Sequence, residues 1–259
     1  MIEVRDVCKS FVANELVLKH ISTTFHSGKI NQIIGRSGSG KTVLLKCIVG
    51  LHTLDSGDIL YDGRSFTAMS KKEKMQLCSE IGMLFQGSAL FDSLTIIENV
   101  LFPMQMFSEK SEKEQQDRAR FCLERVGLYN VFDMYPAELS GGMQKRAAIA
   151  RAISLNPKYL FCDEPNSGLD PLTASKIDEL IVELTKEFQM TTIINTHDLN
   201  SVLSVGEHIV FIHKGEKAWE GPKEKLFVSN CPELDDFIFA SEMYQKFRTT
   251  LVSEQSGQI

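Results

Sequence analysis

Apolar and polar residues alternate along residues 2–7, the pattern of a β-strand with one buried face. Four further short runs predict strands, and the second of these leads directly into a glycine-rich loop. Residues 42–50 follow with helical spacing and end on Gly50, a common helix terminator. The additional predicted strands are residues 20–25, 30–34, 59–61 and 81–85.

The periodicity changes between residues 86 and 157, where strand patterns give way to helical ones. Strand–helix alternation then resumes and closes with a predicted β-hairpin. We therefore predict an α/β core formed by residues 1–86 and 158–230, interrupted by an α-helical subdomain at 87–157. The later elements are predicted helices at 96–106, 111–126, 143–155, 171–188 and from Asp198, strands at 159–162 and 191–195, and hairpin strands at 209–212 and 216–219.

Residues 231–259 are predicted to be a separate C-terminal extension. The apolar residues in it have the spacing of an amphipathic helix, which typically packs on its own domain. The alternative is that this extension reaches a second subunit and stabilises a dimer. The apolar positions are Phe237, Phe239, Met243, Phe247 and Leu251.

Residues 35–42 read Gly-Arg-Ser-Gly-Ser-Gly-Lys-Thr and fit the P-loop pattern G-x-x-x-x-G-K-[ST]. A strand before this loop and a helix after it direct backbone N–H groups and the positive helix end at phosphate. Lys41 can neutralise β- and γ-phosphates, and the Thr42 hydroxyl can bind Mg²⁺. The sequence therefore predicts a nucleoside triphosphate site here.

Two carboxylates, Asp163 and Glu164, end the apolar run at 159–162. This position is the carboxyl edge of the predicted parallel sheet, where α/β folds bind ligands. Asp163 suits a Walker B role in holding Mg²⁺, and Glu164 suits accepting a proton from the attacking water or orienting it. An acidic pair alone is more often a solvated turn, but the P-loop upstream favours the catalytic interpretation.

A second phosphate-type stretch, Leu-Ser-Gly-Gly-Met-Gln, lies at residues 139–144 and begins a predicted helix. Ser140 and the following glycine amides form another helix N-terminus suited to an anion. A single ATP does not need two such termini. An ordinary Ser/Gly helix cap is the simpler alternative for this stretch taken alone.

In this order, the motifs resemble those of ATP-binding-cassette (ABC) ATPases over nearly the whole chain. The resemblance implies an α/β P-loop NTPase (RecA-like) core with an inserted α-helical subdomain and an antiparallel β portion, the ABC ATPase architecture. It also implies a head-to-tail homodimer in which the signature loop of one subunit caps the ATP held by the other. The family's hydrolytic residues are present, so the resemblance implies an active ATPase with ATP and Mg²⁺ as cofactors.

The same resemblance assigns further positions. Gln86 matches the Q-loop residue that touches Mg²⁺ and water, His197 matches the switch histidine at the γ-phosphate, and Asp170 lies in the D-loop. Phe11 lies where the family offers an aromatic ring to adenine, although a core position is an equal alternative. The predicted sets are catalytic Glu164, His197 and Gln86; Mg²⁺-binding Thr42, Gln86 and Asp163; and ATP-binding Phe11, Gly35, Arg36, Ser37, Gly38, Ser39, Gly40, Lys41, Thr42, Val43, Ser140, Gly141, Gly142 and Asp170.

Three residues depart from the family's usual pattern. Cys162 replaces a commoner apolar residue before the Walker aspartate, and Asn166 stands where threonine is usual. Asn195 interrupts the apolar strand before His197. None of these changes removes a catalytic group.

The composition and net charge of the chain indicate which classes of macromolecule it can bind. The chain is 43% hydrophobic with a net charge of −6, and it has no dense Lys/Arg run, so we expect no nucleic-acid partner. No run approaches the ~18 apolar residues of a membrane span, and the N-terminus does not resemble a signal peptide. We therefore expect any membrane role to act through a partner. The six cysteines contain no C-x-x-C pair and are predicted to be free, mostly buried thiols.

The segment after the Q-loop narrows the subfamily. In ABC ATPases this segment forms the groove that receives the coupling helix of a membrane subunit. Residues 87–95, Gly-Ser-Ala-Leu-Phe-Asp-Ser-Leu-Thr, and the Met-x-Lys-Arg sequence at 143–146 resemble the ATPases of MCE-type phospholipid transporters. This resemblance implies permease subunits, a candidate regulatory subunit and periplasmic MCE subunit, and a location at the cytoplasmic side of the bacterial inner membrane.

Two alternatives stay open. One is the ATPase of another transporter, either a solute importer or a lipoprotein-release system. The other is a soluble ABC protein that acts on ribosomes or DNA. That class would show two cassettes or a long coiled-coil insertion between Gln86 and Ser140, and the sequence has neither.

Overall fold

The computed structural model describes residues 1–12 and 15–240. Ten strands and eight α-helices follow one another in these residues, with short 3₁₀ helices at Pro136–Glu138 and Lys223–Val228. The elements are β1 (Ile2–Val12), β2 (Glu15–Phe25), β3 (Ile30–Ile34), α1 (Lys41–Ile48), β4 (Ser56–Tyr61), β5 (Arg64–Ser65), α2 (Lys71–Ser79), β6 (Ile81–Leu84), α3 (Ile96–Phe107), α4 (Glu112–Arg125), α5 (Gly141–Ala152), β7 (Tyr159–Asp163), α6 (Pro171–Glu187), β8 (Thr191–Thr196), α7 (Leu199–Val205), β9 (His208–His213), β10 (Glu216–Pro222) and α8 (Pro232–Ile238).

A six-stranded sheet in the order β10-β9-β3-β8-β7-β6 carries the P-loop and the acidic pair. Its strands are parallel except for β10, which pairs antiparallel with β9. Strands β3 and β7 are buried along their whole length, as expected for the centre of a parallel sheet. This arrangement confirms the predicted α/β class and brings the ends of β3, β7 and β8 to one edge.

A second sheet, in the order β2-β1-β4-β5, is entirely antiparallel and confirms the predicted antiparallel β portion. One apolar cluster joins this sheet to α1 and to the six-stranded sheet. Leu44, Tyr61 and Phe161 are completely buried in that cluster. Helix α1, which follows the P-loop, is therefore held in place by apolar contacts with both sheets.

Helices α3, α4 and α5 pack together in another apolar cluster, which also includes residues of β7, β8 and α6. The helices α3 and α4 both begin with capping boxes, Thr95 with Glu98 and Ser111 with Glu114. In each box the hydroxyl and the glutamate satisfy backbone N–H groups that the first turn leaves free. These caps explain why the predicted starts of both helices agree with the structure to within one residue.

Several elements differ from the sequence-based expectation. Strands β1 and β2 are longer than predicted, and α5 begins at Gly141 and ends at Ala152, where residues 143–155 were expected. The helix α2 was not predicted, because Leu77 is its one buried residue and it therefore has no apolar stripe. The short helix α8 was predicted only as part of a longer amphipathic segment.

The described part of the C-terminal extension packs on its own domain. Leu234, Phe237 and Ile238 of α8 are buried, and the Phe237 ring centroid lies 5.5 Å from that of Phe211 on β9. Met243, Phe247 and Leu251 lie outside the described residues. The division into segments 1–86, 87–157, 158–230 and 231–259 stays a prediction.

The six cysteines are free, and all except Cys78 are buried, which confirms the prediction of mostly buried thiols. Burial raises the pKa of Cys47 and of Cys122 to about 11, so these thiols are poor nucleophiles. Within residues 1–12 and 15–240, no helix has both the length and the apolar character needed to cross a bilayer.

Candidate functional site

The residues predicted for the P-loop, the acidic pair, the Q-loop and the switch histidine gather where β3, β7 and β8 end at one edge of the six-stranded sheet. A cavity of about 260 Å³ lies over the P-loop at this edge. Parallel sheets bind ligands at this edge because successive strands deliver their following loops to it. The cavity is lined by Val17, Ser37, Gly38, Gly40, Lys41, Thr42, Val43, Gln86, Glu164 and His197.

Two glycines give the P-loop a backbone path that other residues would obstruct. Gly35 has φ 149°, and a Cβ there would lie 2.3 Å from the Ile212 carbonyl oxygen. Gly40 has φ 106° and directly precedes α1, with a Cβ position 3.0 Å from Leu18. Side chains at either position would be strained, so the loop requires glycine for its shape.

Lys41 is 6% exposed, and its ammonium group lies along the loop. The Nζ group donates hydrogen bonds to the carbonyl oxygens of Gly35 at 2.9 Å and Arg36 at 3.1 Å. Burial lowers the pKa of Lys41, while the carboxylates of Glu164 and Asp163 act in the opposite direction. The Lys41 ammonium group is therefore held beside the cavity by neutral carbonyl oxygens, which a charged phosphate group can replace.

Thr42 and Asp163 meet below the cavity. The Thr42 hydroxyl donates to Asp163 Oδ1 at 3.2 Å, and Asp163 is 4% exposed. The Asn195 amide donates to both of these residues, at 3.0 Å to Thr42 Oγ1 and 2.5 Å to Asp163 Oδ1. A hydroxyl and a carboxylate are the oxygen ligands that Mg²⁺ prefers, so this pair fits the predicted metal.

Gln86 lies in the same cavity but at a different wall. Its exposed side chain lines the cavity, and its backbone carbonyl accepts a hydrogen bond from the buried Lys145 ammonium of α5. Burial lowers the pKa of Lys145, and the nearby acidic groups Cys162, Asp163 and Glu164 oppose that shift. The segment after β6 is thereby tied to α5, the helix that begins within the signature motif.

Glu164 and His197 form a pair at the mouth of the cavity. His197 Nδ1 lies 2.7 Å from Glu164 Oε1, with the histidine side chain 62% exposed and the glutamate side chain 12% exposed. Glu164 has an unusual positive φ of 50°, and its N–H donates to the Asn195 carbonyl at 2.9 Å. This turn directs a carboxylate into the cavity at a point where it can contact a water molecule beside a bound phosphate.

The signature residues lie elsewhere on the same chain. The Ser140 hydroxyl caps α5 by accepting from the Met143 N–H at 3.4 Å, and Asp170 caps α6 in a similar way. Among the described residues, none of those that line the cavity over the P-loop comes from residues 140–142 or is Asp170. The sequence-predicted ATP-binding set is therefore divided between two surfaces of one chain.

The profile of the ABC transporter family matches residues 18–167. The chain belongs to the ABC transporter family. Its P-loop, Walker B and signature motifs all lie within the matched region. The chain is therefore an ABC ATPase, the ATP-binding subunit of an ABC transporter.

Two curated relatives illustrate the range of named transporters. The ABC ATPase is 35% identical over 237 residues to the "Probable ribonucleotide transport ATP-binding protein mkl" of Mycobacterium leprae, covering 92% of this chain and 68% of the relative. It is 37% identical over 243 residues to the "Methionine import ATP-binding protein MetN" of Clostridium tetani, covering 94% and 76%. The chain thus spans roughly two thirds to three quarters of these relatives.

Solved structures agree with the fold. An ATP-binding cassette solved as a dimer in a post-hydrolysis state with ADP and Pi superposes with a TM-score of 0.79 at 32% identity, covering 86% of this chain and 99% of that one. A component of the ABC transporter complex cbiONQ from Clostridium perfringens gives a TM-score of 0.81 at 28% identity, covering 97% and 98%. The ABC ATPase architecture expected from the sequence is confirmed.

Phe11 of the ABC ATPase is not a core residue, so that alternative from the sequence is wrong. Its side chain is 56% exposed, and its ring lies 5.1 Å from the His52 ring and 5.4 Å from Lys9 Nζ. An exposed ring on β1 is available for a planar ligand, and stacking on adenine stays a prediction.

We expect Phe11→Ala to weaken ATP binding by about 1 kcal/mol, roughly fivefold in Kd, because a stacking face is lost. Phe11→Tyr should keep the wild-type Kd, since the ring is retained. Equilibrium binding of a fluorescent ATP analogue measures both. An unchanged Kd for Phe11→Ala would show that the ring does not touch the base.

Sequence reasoning gave no site role to three residues that shape the site. Val17 of β2 lines the cavity, and Asn195 contacts Thr42 and Asp163. Arg151 of α5 is 9% exposed and donates to the carbonyls of Ser88 at 2.8 Å and Ala89 at 2.7 Å, which holds the segment after Gln86. One signal could have found it: a charged residue within an otherwise apolar helix end is usually held by a partner.

Proposed function

We propose that this ABC ATPase energises an MCE-type phospholipid transporter at the cytoplasmic face of a bacterial inner membrane. Two copies would bind two ATP molecules head to tail, and permease subunits would hold the pair at the membrane. ATP binding would close the dimer and hydrolysis would release it, which moves the helices that contact the permeases. The resemblance of residues 87–95 and 143–146 to the ATPases of such transporters supports this choice of substrate class.

Within that function, each site residue has a proposed role. Lys41 and the P-loop amides bind the β- and γ-phosphates, and Thr42 and Asp163 would hold Mg²⁺, which supplies charge neutralisation there. Glu164 would accept a proton from the attacking water, with His197 holding its carboxylate in place. The Gln86 side chain would contact the attacking water. The hydrogen bond from Lys145 to the Gln86 backbone carbonyl would couple any movement of Gln86 to α5.

The observation that carries the dimer is the separation of the two anion-binding surfaces. The cavity over the P-loop is open and contains no signature residue from residues 140–142 of the described chain. The N-terminus of α5 presents its own free N–H groups with Ser140 as cap. A second copy would complete each site by presenting this helix end to the γ-phosphate.

The observation that carries the permease contact is an apolar groove of about 370 Å³ beside the Q-loop. Asn99 orders one wall of this groove, because its side-chain carbonyl accepts from the Phe91 N–H at 2.8 Å and its amide donates to the Phe91 carbonyl at 3.1 Å. Arg151 orders the adjoining turn. The groove residues include Met83, Phe85, Ala89, Phe91, Phe102 and Pro103.

Affinity purification of the tagged full chain from its own membranes tests this proposal. We expect permease subunits, an MCE-domain protein and bound phospholipid to copurify with the wild type. Phe91→Asp should release the permeases, whereas Phe121→Asp should not. The two phenylalanines match in exposure, at 42% and 44%, but Phe121 lies on α4 and does not line the groove.

A solute importer is the second candidate, and the similarity to a protein named for methionine import favours it. In that case the same purification would recover permeases without an MCE-domain protein or lipid. Addition of a small solute, and not of phospholipid, would then stimulate the ATPase of the purified complex. The two outcomes are mutually exclusive, so one preparation decides between the candidates.

The C-terminal extension is proposed to add a dimer contact through residues 241–259. Truncation after Asn230 would remove buried Leu234, Phe237 and Ile238 and so destabilise the domain itself. Truncation after Ala240 keeps these residues and is the better test. We expect it to weaken ATP-dependent dimerisation, measured by sedimentation, without lowering the melting temperature. An unchanged dimer would contradict the proposed contact.

A further inference from the structure

Asn195 of β8 contacts three residues of the site, Thr42, Asp163 and Glu164. Its side chain is completely buried, and β8 pairs it with Asp163 of the neighbouring strand β7. The Nδ2 group donates to Thr42 Oγ1 at 3.0 Å and to Asp163 Oδ1 at 2.5 Å. The Thr42 hydroxyl itself donates to Asp163 Oδ1 at 3.2 Å. The three polar groups therefore form a closed triangle.

Hydrogen-bonding capacity fixes the direction of each group in this triangle. An ionised carboxylate only accepts, so the Asn195 amide must turn its N–H₂ group toward Asp163. The Thr42 hydroxyl has one donor and two lone pairs; its donor goes to Asp163 and one lone pair accepts from Asn195. One lone pair of the Thr42 hydroxyl is not used within the triangle. Both hydrogen bonds to Asp163 go to Oδ1, so neither donor occupies Asp163 Oδ2.

The other polar groups of Asn195 extend this connection. Its backbone carbonyl accepts from the Glu164 N–H at 2.9 Å and so supports the positive-φ turn of that residue. Among residues 1–12 and 15–240, no group donates a hydrogen bond to its buried Oδ1 atom. A buried amide oxygen without a donor is rare in proteins, so the contacts of the Nδ2 group are what set the orientation of this side chain.

We propose that Asn195 is a positioning residue for the nucleotide-bound Mg²⁺, which it does not itself ligate. Its amide directs the remaining lone pair of Thr42 and the free oxygen of Asp163 toward the cation, and its carbonyl holds Glu164 beside them. The proposal rests on ATP binding and on the metal roles proposed for Thr42 and Asp163, and it is independent of the transported substrate. Outer-shell partners of this kind typically change metal affinity by about 10–100-fold.

Asn195→Leu tests this role because leucine has a similar branched shape but no amide. Thr192→Val is the matched control, since Thr192 is also completely buried in β8 and its hydroxyl bonds Thr185 at 2.7 Å, away from the metal pair. Electron paramagnetic resonance with Mn²⁺ measures the affinity of the cation for the protein with a non-hydrolysable ATP analogue. A fluorescent ATP analogue in the presence of a chelator measures metal-free nucleotide binding.

We expect Asn195→Leu to weaken Mn²⁺ binding by about 10–100-fold while leaving metal-free nucleotide binding unchanged. Thr192→Val should match the wild type in both measurements. If Asn195→Leu does not fold, as judged by circular dichroism, Asn195→Thr serves instead, since its shorter hydroxyl cannot bond both oxygens. Wild-type or tighter Mn²⁺ affinity in the folded variant overturns the proposal. Absence of nucleotide-dependent Mn²⁺ binding in the wild type overturns the metal roles of Thr42 and Asp163 as well.

Discussion

Glu164→Gln should reduce ATP turnover by about 10²–10⁴-fold, because glutamine cannot accept the proton of the attacking water. ATP binding should persist, since the Glu164 side chain bonds His197 and leaves the P-loop contacts intact. Removal of a negative charge from the cavity also reduces its repulsion of the phosphates. We therefore expect the variant to accumulate as an ATP-bound dimer, detected by sedimentation with and without ATP.

Glu183→Gln is the control for this experiment. It makes the same chemical change on α6, where the carboxylate is 61% exposed and bonds Arg125. That variant should hydrolyse ATP at the wild-type rate and should not accumulate as a dimer. A Glu164→Gln protein that turns over like this control would remove Glu164 from the role of general base.

Gly141→Asp should abolish ATP-dependent dimerisation and lower turnover by at least about 100-fold. The first residue of α5 would then face the γ-phosphate of the partner's ATP with a like charge, which costs several kcal/mol. The domain should still fold, because a Cβ at Gly141 meets only Leu169 Cδ2, at an ordinary 3.8 Å. A carboxylate in the first turn of a helix is also favourable.

Gly141→Asn separates the effect of charge from that of size. Asparagine has nearly the same shape as aspartate but no charge, so it should keep most of the dimerisation and turnover. Both variants should bind a fluorescent ATP analogue with the wild-type Kd as monomers, since the P-loop is unchanged. Equal losses in the two variants would point to simple obstruction, and loss of monomer binding would place the signature at its own chain's nucleotide.

The sequence predicted the elements with strong local signals. Strand β3 agrees at both ends because its five consecutive residues are all buried and glycine follows. The P-loop agrees because its conformation needs glycine at fixed positions, which leaves a pattern in the sequence. The capping boxes at Thr95 and Ser111 similarly mark the starts of α3 and α4.

Other features depend on neighbours far away in the chain. The position of Asn195 against Asp163 follows from the register of β8 beside β7, which local periodicity does not contain. Helical periodicity alone placed the start of α5 two residues late, because Gly141 and Gly142 have low helix propensity. The signature stretch correctly indicated Ser140 as the cap that determines the true start. Phenylalanine is a residue type common in protein cores, so the residue type alone does not predict that Phe11 is exposed. Its exposure depends on which residues pack over β1.

Cross-labelling between two distinguishable copies tests the central claim, which is that a second chain completes each ATP-binding site. A heavy-isotope chain carrying Lys41→Ala, which should not bind ATP, is mixed with a light Glu164→Gln chain and a photoreactive γ-phosphate analogue of ATP. We expect the label on the heavy peptide that contains Ser140, Gly141 and Gly142, and no label on the heavy chain alone. Label confined to light peptides would contradict the account.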